Sequence, residues 1–543
     1  KGIKFASTFS YDFVMNKSCA WKDPRTSDGD DDNGRFSKDY NDITNMTWSN
    51  ILTYQTKIKK KHNLDLLVGY EINSKESDGL GTTISNFARW DKPEVNNGVV
   101  YQSMGGSNST TRIVSYITRA NYDYDNKYYL GASWRTDGSS RLARENRWGN
   151  FWSLSGAWRV SSESFMKPLQ NWLSDLKLRV SYGVNGTLPS SYYEYMGLNS
   201  LTSNYNDNPG ITQSQLENKE LTWETNYNFN SGIDLGFFDN RLNVTFEYYV
   251  RTTKNLLYSR PLSLATGFSS YLANIGKLQN KGYELEIRST NIETKDFRWS
   301  TSLNLGHNAN KILKLDGDLK QVTSGTSIHK VGLPYSTYYM IEFAGIDPVD
   351  GEPMFYKNTT DENGNLNKET TKDPRSAEKV ILQCADPTIT GGLGNSISYK
   401  WFDLNFNVNF SFGAWNYDGA AGKLEHGGDG TLNIPIYYRK RWQKEGDETS
   451  IERFVVGRSI SMTDYATTRR LYSGDYVRLK NLTFGFTLPK TWTRKVGIDN
   501  IRLYASGNNL LTWAAYDYID PESGSSPSWD TPPMRTYTFG LEV

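Results

Sequence analysis

Cysteine is scarce. The 543 residues include two, Cys19 and Cys384. A disulfide-stapled fold is excluded, and their spacing makes no zinc site. They are either paired with each other or free thiols. Histidine is nearly as rare, with four: His62, His307, His329 and His426. None falls in an H-E-x-x-H arrangement, so each reads as a solvated or structural side chain. There is no G-x-S-x-G and no P-loop. The chain is therefore not expected to be an enzyme or to carry a cofactor or a metal. Net charge is also lacking: 61 basic residues meet 60 acidic ones. Nothing in that balance points to nucleic acid. Long apolar runs are missing too. No stretch reaches the roughly 18 residues of a membrane helix, and mean hydropathy is −0.64. That leaves membrane strands open, because a strand puts only alternate residues into lipid.

Aromatics and glycine are abundant, with 36 Tyr, 16 Trp and 46 Gly. This composition fits an all-β chain with many turns. The alternation is regular. In WFDLNFNVNFSFG (401–413), Phe402, Leu404, Phe406, Val408, Phe410 and Phe412 share one face. Asp403, Asn405, Asn407, Asn409, Ser411 and Gly413 share the other. Soluble strands usually run about 5–6 residues, and this one is about twice that, enough to cross a bilayer at a tilt. RLNVTFEYYV (241–250), LTWETNYNFNSGIDLG (221–236), NLTFGFTLP (481–489) and the last eight residues repeat the pattern. Their polar faces suit a wet lumen or a polar plug.

Period-two stretches predict about sixteen strands, near 2–13, 43–59, 63–73, 111–124, 128–137, 148–161, 175–184, 222–236, 241–254, 277–290, 297–311, 388–399, 401–414, 473–488, 499–511 and 534–543. Short connections (59–63, 125–126, 237–240, 294–296, 399–400) alternate with long ones (14–42, 74–110, 185–220, 255–276, 312–387, 415–472, 512–533). A brief helix is expected within 161–175, and strand-like residues at 338–356 inside a long connection. Such asymmetry marks a transmembrane antiparallel β-barrel with short periplasmic turns and long external loops. An even strand count would then leave Val543 in the periplasm. The first residues, KGIKFASTFSYDF, read as mid-strand and not as a signal peptide, so the natural protein is expected to begin upstream of Lys1.

Nine stretches in order resemble the SusC/RagA type of TonB-dependent outer-membrane transporters. They are 133–167 with SWRTDGSSRLARENRWGNFWSLSGAWRVSSESFMK, LKLRVSYGVNG (176–186), LQNKGYELEI (278–287), FRWSTSLNLGHNANKILKL (297–315), FAGIDPVDGEPMF (343–355), DPTITGGLGNSISYKWFDLNFNVNFSFG (386–413), RRLYSGDYVRLKNLTFGFTLP (469–489), IRLYASGNNLLTW (501–513) and PPMRTYTFGLEV (532–543). The resemblance implies a barrel of about 22 strands with an N-terminal plug. Residues 1–543 would be its C-terminal part, with the plug and about six strands upstream. It further implies a bacterial outer-membrane location, a SusD-like surface lipoprotein as lid, energy from TonB, and a dimer of transporter–lipoprotein pairs. The implied activity is import of an oligosaccharide or oligopeptide. The sequence departs from such barrels at its end, where Val543 stands in place of an aromatic residue. Read from the residues alone, a plugless passive porin and a surface glycan-binding all-β protein remain the alternatives.

Candidate contacts with substrate are aromatic. Tyr192, Tyr193 and Tyr195 lie in one long connection, and Trp415 and Tyr417 in another. Flat rings stack on sugars or pack on peptide side chains. The competing reading is loop packing or contact with the lid. Trp148, Trp152, Trp158, Trp299 and Trp401 lie near strand ends and read as interface-belt residues. Asp28, Asp30 and Asp32 alternate as oxygen ligands for Ca²⁺ would, or form a solvated acidic loop. DGSSR (137–141) and GIDPVDGEP (345–353) have turn composition.

Overall fold

The computed structural model describes residues 2–206, 208–315, 317, 319–361, 364–428, 433–457, 465–523, 531 and 533–543. Parts of the expected long connections 312–387, 415–472 and 512–533, and Pro532 at the head of the last family-like stretch, lie outside the described residues. No helix among the described residues is long and apolar enough to cross a membrane.

One sheet holds sixteen strands in chain order. We label them β1 (Gly2–Lys22), β2 (Arg35–Ile58), β3 (His62–Phe87), β4 (Gly98–Tyr124), β5 (Tyr128–Ser139), β6 (Trp148–Arg159), β7 (Leu173–Thr187), β8 (Glu224–Phe237), β9 (Leu242–Lys254), β10 (Lys277–Glu293), β11 (Phe297–Lys314), β12 (Ile389–Tyr399), β13 (Phe402–Phe412), β14 (Tyr476–Thr487), β15 (Arg502–Ala514) and β16 (Thr536–Glu542). Every expected strand has its counterpart. The first four are much longer than expected, and the connections at 14–42 and 74–110 are mostly strand. Their outer halves are rich in Ser, Thr, Asn and Gly, so the alternation fades while the backbone ladder continues.

Short connections are tight turns. Asp125 and Asn126 both have φ +55°, the geometry of a two-residue hairpin turn that matches strand twist. The helix expected in 161–175 is two 3₁₀ segments, Val160–Ser162 and Ser164–Leu169. Segment 338–356 does hold strands, Thr337–Ile341, Phe343–Ile346 and Pro353–Tyr356. Both cysteines are free thiols.

By contact density the chain forms two compact units. The first is Lys1–Trp158, Arg179–Phe229 and Thr252–Gly276, and the second is Arg159–Leu178, Asn230–Arg251 and Lys277–Val543.

In the first unit the apolar face of the strands points outward. Leu130, Leu154 and Val68 are exposed by 61%, 56% and 57%. Two aromatic rows bracket this face. One is Tyr70–Tyr116–Trp148, with neighbouring rings 5.2 and 6.2 Å apart. The other, beside the short turns, is His62–Tyr124–Tyr128–Trp158. Tyr116 and Tyr124 stand eight residues apart on β4, or about 26 Å along a strand. At a strand tilt of about 35–45° this spans about 18–21 Å across the membrane, slightly under the roughly 25 Å of a lipid-facing band flanked by aromatic girdles. In the second unit Phe402 stacks on Phe484 and Phe486, and Phe410 packs on Phe412 near the other end of β13.

The opposite faces are hydrogen-bonded. Ser133 meets Ser153 at 2.7 Å, and Arg135 donates to Asp137 at 2.7 Å and to Ser115 at 2.9 Å. In the second unit Arg502 pairs with Asp403 at 2.8 Å and with Glu542 at 3.2 Å. Asn481 donates to Asn508 at 3.0 Å. Against β13 the ladder of β14 shifts register, Leu479 facing Val408 and Asn481 facing Asn407. Lys480 is the extra residue, and this bulge keeps Val477 and Leu479 in phase with Leu482, Phe484 and Phe486.

Candidate functional site

The polar wall of the second unit borders an open recess of about 1050 Å³. Glu284, Glu286 and Arg288 from β10, Asn304 from β11, and Asn407 and Asn409 from β13 line it. Glu286 and Arg288 form an ion pair. Alternation puts these side chains there, since each is the polar partner of an apolar neighbour one residue along its strand. Such a wall offers hydrogen bonds to a hydrated solute.

The predicted aromatic residues of the first unit cluster above β4. The Tyr193 hydroxyl accepts the backbone N–H of Thr110 at 2.9 Å. Tyr192 carries the Arg141 guanidinium over its ring at 4.5 Å, and Arg141 donates to the Pro189 carbonyl at 2.9 Å. Tyr195 packs on a buried cluster of Leu142, Phe151, Leu221 and Trp223. The Trp223 indole donates to the Arg147 carbonyl at 3.0 Å. Sequence alternation grouped Trp223 with the apolar face of β8, but it precedes that strand and anchors the loop core. All three tyrosines are half-buried.

Trp415 and Tyr417 lie on a short strand, Trp415–Tyr417, paired with Leu471–Ser473. Both pack against Tyr338, Met340 and Leu471. Burial pushes the Tyr417 phenol up.

Sequence reasoning missed the charged core beside them. Glu452 is fully buried, Arg470 is 2% exposed and Glu425 is 7% exposed. Glu452 accepts from the Tyr438 hydroxyl at 2.9 Å and pairs with Arg469. Glu425 pairs with Arg470 at 3.3 Å and accepts from the Tyr437 hydroxyl. Burial, reinforced by the neighbouring glutamates, raises both phenols far above their ordinary range. Tyr472 stacks on Tyr516 with ring centroids 3.8 Å apart, and Tyr516 donates to Asp418 at 2.9 Å. A second anchor ties the connection after β15 to β14: Arg478 pairs with Asp520 at 2.6 Å and Glu522 at 2.7 Å. The one signal for this core was the doubled arginine opening RRLYSGDYVRLKN, inside a family-like stretch.

Other singled-out residues have structural partners. Asp28 accepts from the Thr26 hydroxyl at 2.7 Å, and Asp32 pairs with Arg35. No group of three or more potential ligands converges on a metal position among the described residues. In GIDPVDGEP, Gly351 has φ +72° and a Cβ there would press 2.5 Å from the Trp442 ring, so the turn demands glycine. Trp148, Trp152 and Trp401 are exposed, and the Trp299 indole donates to Asn395 at 2.9 Å.

Residues 3–510 match the family described as TonB dependent receptor-like, beta-barrel. The chain belongs to that family. Its sixteen strands are therefore those of an outer-membrane, multi-pass β-barrel of the SusC/RagA kind. TonB-dependent receptor P3 of Formosa agariphila is 32% identical over 100% of this chain and 56% of its own length. TonB-dependent receptor SusC of Bacteroides thetaiotaomicron is 30% identical over 79% of this chain and 43% of its own. A solved structure described as the RagAB peptide transporter superposes with a TM-score of 0.88 at 28% identity, covering 100% of this chain and 60% of that one. The chain thus spans about half the length of these relatives.

Proposed function

We propose that the whole protein imports a large nutrient, an oligosaccharide or oligopeptide, across the outer membrane. Energy comes through TonB, a SusD-like lipoprotein closes over the loops, and two such pairs associate in the membrane. The observation that carries this reading is the RagAB match along the full chain at a TM-score of 0.88. The polar recess on β10–β13 supports it, since it offers a solute hydrogen bonds in place of water. In this reading Tyr192, Tyr193, Tyr195, Trp415 and Tyr417 keep one side in loop packing and turn the other to the substrate.

The test is uptake by cells carrying the full-length protein and its neighbouring lipoprotein. Fluorescent oligopeptides and oligosaccharides are supplied with and without a proton-motive force. Uptake of one class should stop when the force is collapsed or TonB is deleted. Uptake that continues unchanged would replace this reading with a passive porin. Extraction of the chain without detergent would replace it with a soluble surface protein.

A further inference from the structure

Three short turns of the second unit, 294–296, 400–401 and 488–501, join edge to edge. The Lys400 N–H donates to the Asp296 carbonyl at 2.7 Å, and the Thr487 N–H to the Trp401 carbonyl at 2.8 Å. The strand ends behind these turns carry an aromatic row. Phe297 lies opposite Tyr399, Tyr399 opposite Phe402, and Phe402 opposite Phe486, across β11 to β14. Tyr399 and Phe402 are 51% and 42% exposed. The row shares its face with Leu404, Phe406 and Val408, the apolar face that a barrel turns to lipid. It marks the depth where hydrocarbon gives way to headgroups.

Positive charge stands directly beyond the row. Lys295 and Lys400 lie in two of the turns. The third contains KTWTRK (490–495), which adds Lys490, Arg494 and Lys495 with no acidic residue. All five are exposed. Among the described residues no carboxylate pairs with any of them. Asp296 and Asp499 are the acidic residues of the three turns. The net charge of the whole chain is +1, so the excess is local.

Lys400 fixes the side on which this charge sits. Its ammonium lies 5.4 Å from the centroid of the Tyr399 ring. That ring belongs to the outward row, so the charge stands over the lipid face, on the far side of the wall from anything that fills the lumen. Trp401 and Trp492, in the same turns, are 47% and 59% exposed, as indoles at headgroup depth are. The first unit repeats the pattern by itself. Lys59, Lys60 and Lys61 fill the turn between β2 and β3, beside His62 of its own row.

We propose that the rim formed by these turns binds anionic phospholipid of the periplasmic leaflet. Lysine and arginine take the headgroup phosphates, and the aromatic row packs on the tops of the acyl chains. Charge complementarity and continuity with the lipid-facing band select this occupant. The bound lipid holds the ends of β11–β14 at a set depth in the membrane. This goes beyond the import reading and does not rest on it.

The experiment uses the full-length transporter with its lipoprotein, reconstituted in phosphatidylcholine vesicles. Cys19 and Cys384 are replaced by serine, and Thr491→Cys carries a bimane label as the one reactive thiol of the preparation. The probes are phosphatidylglycerol and phosphatidylcholine, each with a nitroxide near the top of the acyl chain. At equal mole fraction, phosphatidylglycerol should quench the label as if enriched about threefold or more at the rim. High salt should erase most of the preference. Combined K400Q, K490Q, R494Q and K495Q should abolish it, while K400R with K490R should keep it. Equal quenching by the two lipids overturns the proposal. So does a preference that survives the four glutamines, or a label that neither lipid reaches. Loss of TonB-dependent uptake in the glutamine variant with its lipid preference intact assigns the rim to a periplasmic protein and overturns it too. Lipid preference in a protein whose uptake ignores TonB sinks the import reading and supports this site.

Discussion

The strand wall β4–β6 and the connection after β13 distribute polarity in opposite ways. On the wall, Leu130, Leu154 and Trp134 are exposed while Ser115 is 1% exposed. In the connection, Glu452 and Arg470 are buried while Val456 is 82% exposed. Each pattern follows from its surroundings. Hydrocarbon accepts Leu154 at no cost, and the ladder leaves no backbone group unpaired there. The described part of the connection has little regular structure, and its apolar cluster around Leu471, Trp415 and Tyr417 is small. Buried ion pairs there add little net stability, but they penalise every arrangement that separates them. The wall is held by its ladder and the connection by its charges.

That contrast breaks most visibly at Glu452. Glu452→Ala leaves the Tyr438 hydroxyl without its acceptor and Arg469 with Glu425 alone, 3.7 Å away, a loss toward the lower end of the about 3–5 kcal/mol for a broken buried pair. The loss should stay local. Limited proteolysis should cut within 413–475 many times faster, while the folded barrel keeps its heat-modifiable mobility on a gel. Protection equal to wild type would mean that the charges do not hold the connection.

Leu154→Arg probes the wall. Its side chain lies on the aliphatic band between the aromatic rows, opposite Ala132. Arginine near the bilayer midplane costs about 2–4 kcal/mol. Ser153→Arg, one residue away on the polar face, should cost clearly less. Urea unfolding in lipid vesicles measures both. Equal losses at the two positions would erase the distinction between the faces.

How far the sequence anticipates this architecture depends on what each residue is solvated by. Phe402 to Phe412 alternate because lipid lies on one side and water on the other, and β13 was legible for that reason. Beyond the aromatic rows both faces of a strand meet water. Residues such as Ser103, Asn108 and Thr110 then carry no period, and the outer half of β4 read as loop. The candidate tyrosines were legible as a cluster, but their partners were not. Tyr193 meets Thr110 across 83 residues of chain, and Arg469 meets Glu452 through a fold that no local pattern encodes.

The smallest expected effect sharpens the same contrast by titration. His329 lies on the hairpin strand Ser327–Lys330, is 6% exposed and stacks on Tyr335 at 4.1 Å. Burial holds its pKa below the ordinary value, so the fold favours neutral imidazole. Below the unfolded pKa of about 6.5 the unfolded segment binds a proton that the folded one resists. Stability of this connection should therefore be full above that pH and decline as pH falls below it. Proteolytic protection of 312–387 should weaken between pH 7.5 and 5, and His329→Phe should flatten the dependence. The strand wall, with no buried neutral histidine on its apolar face, should show no change over that range. A decline that persists in H329F would place the sensitivity elsewhere in the connection.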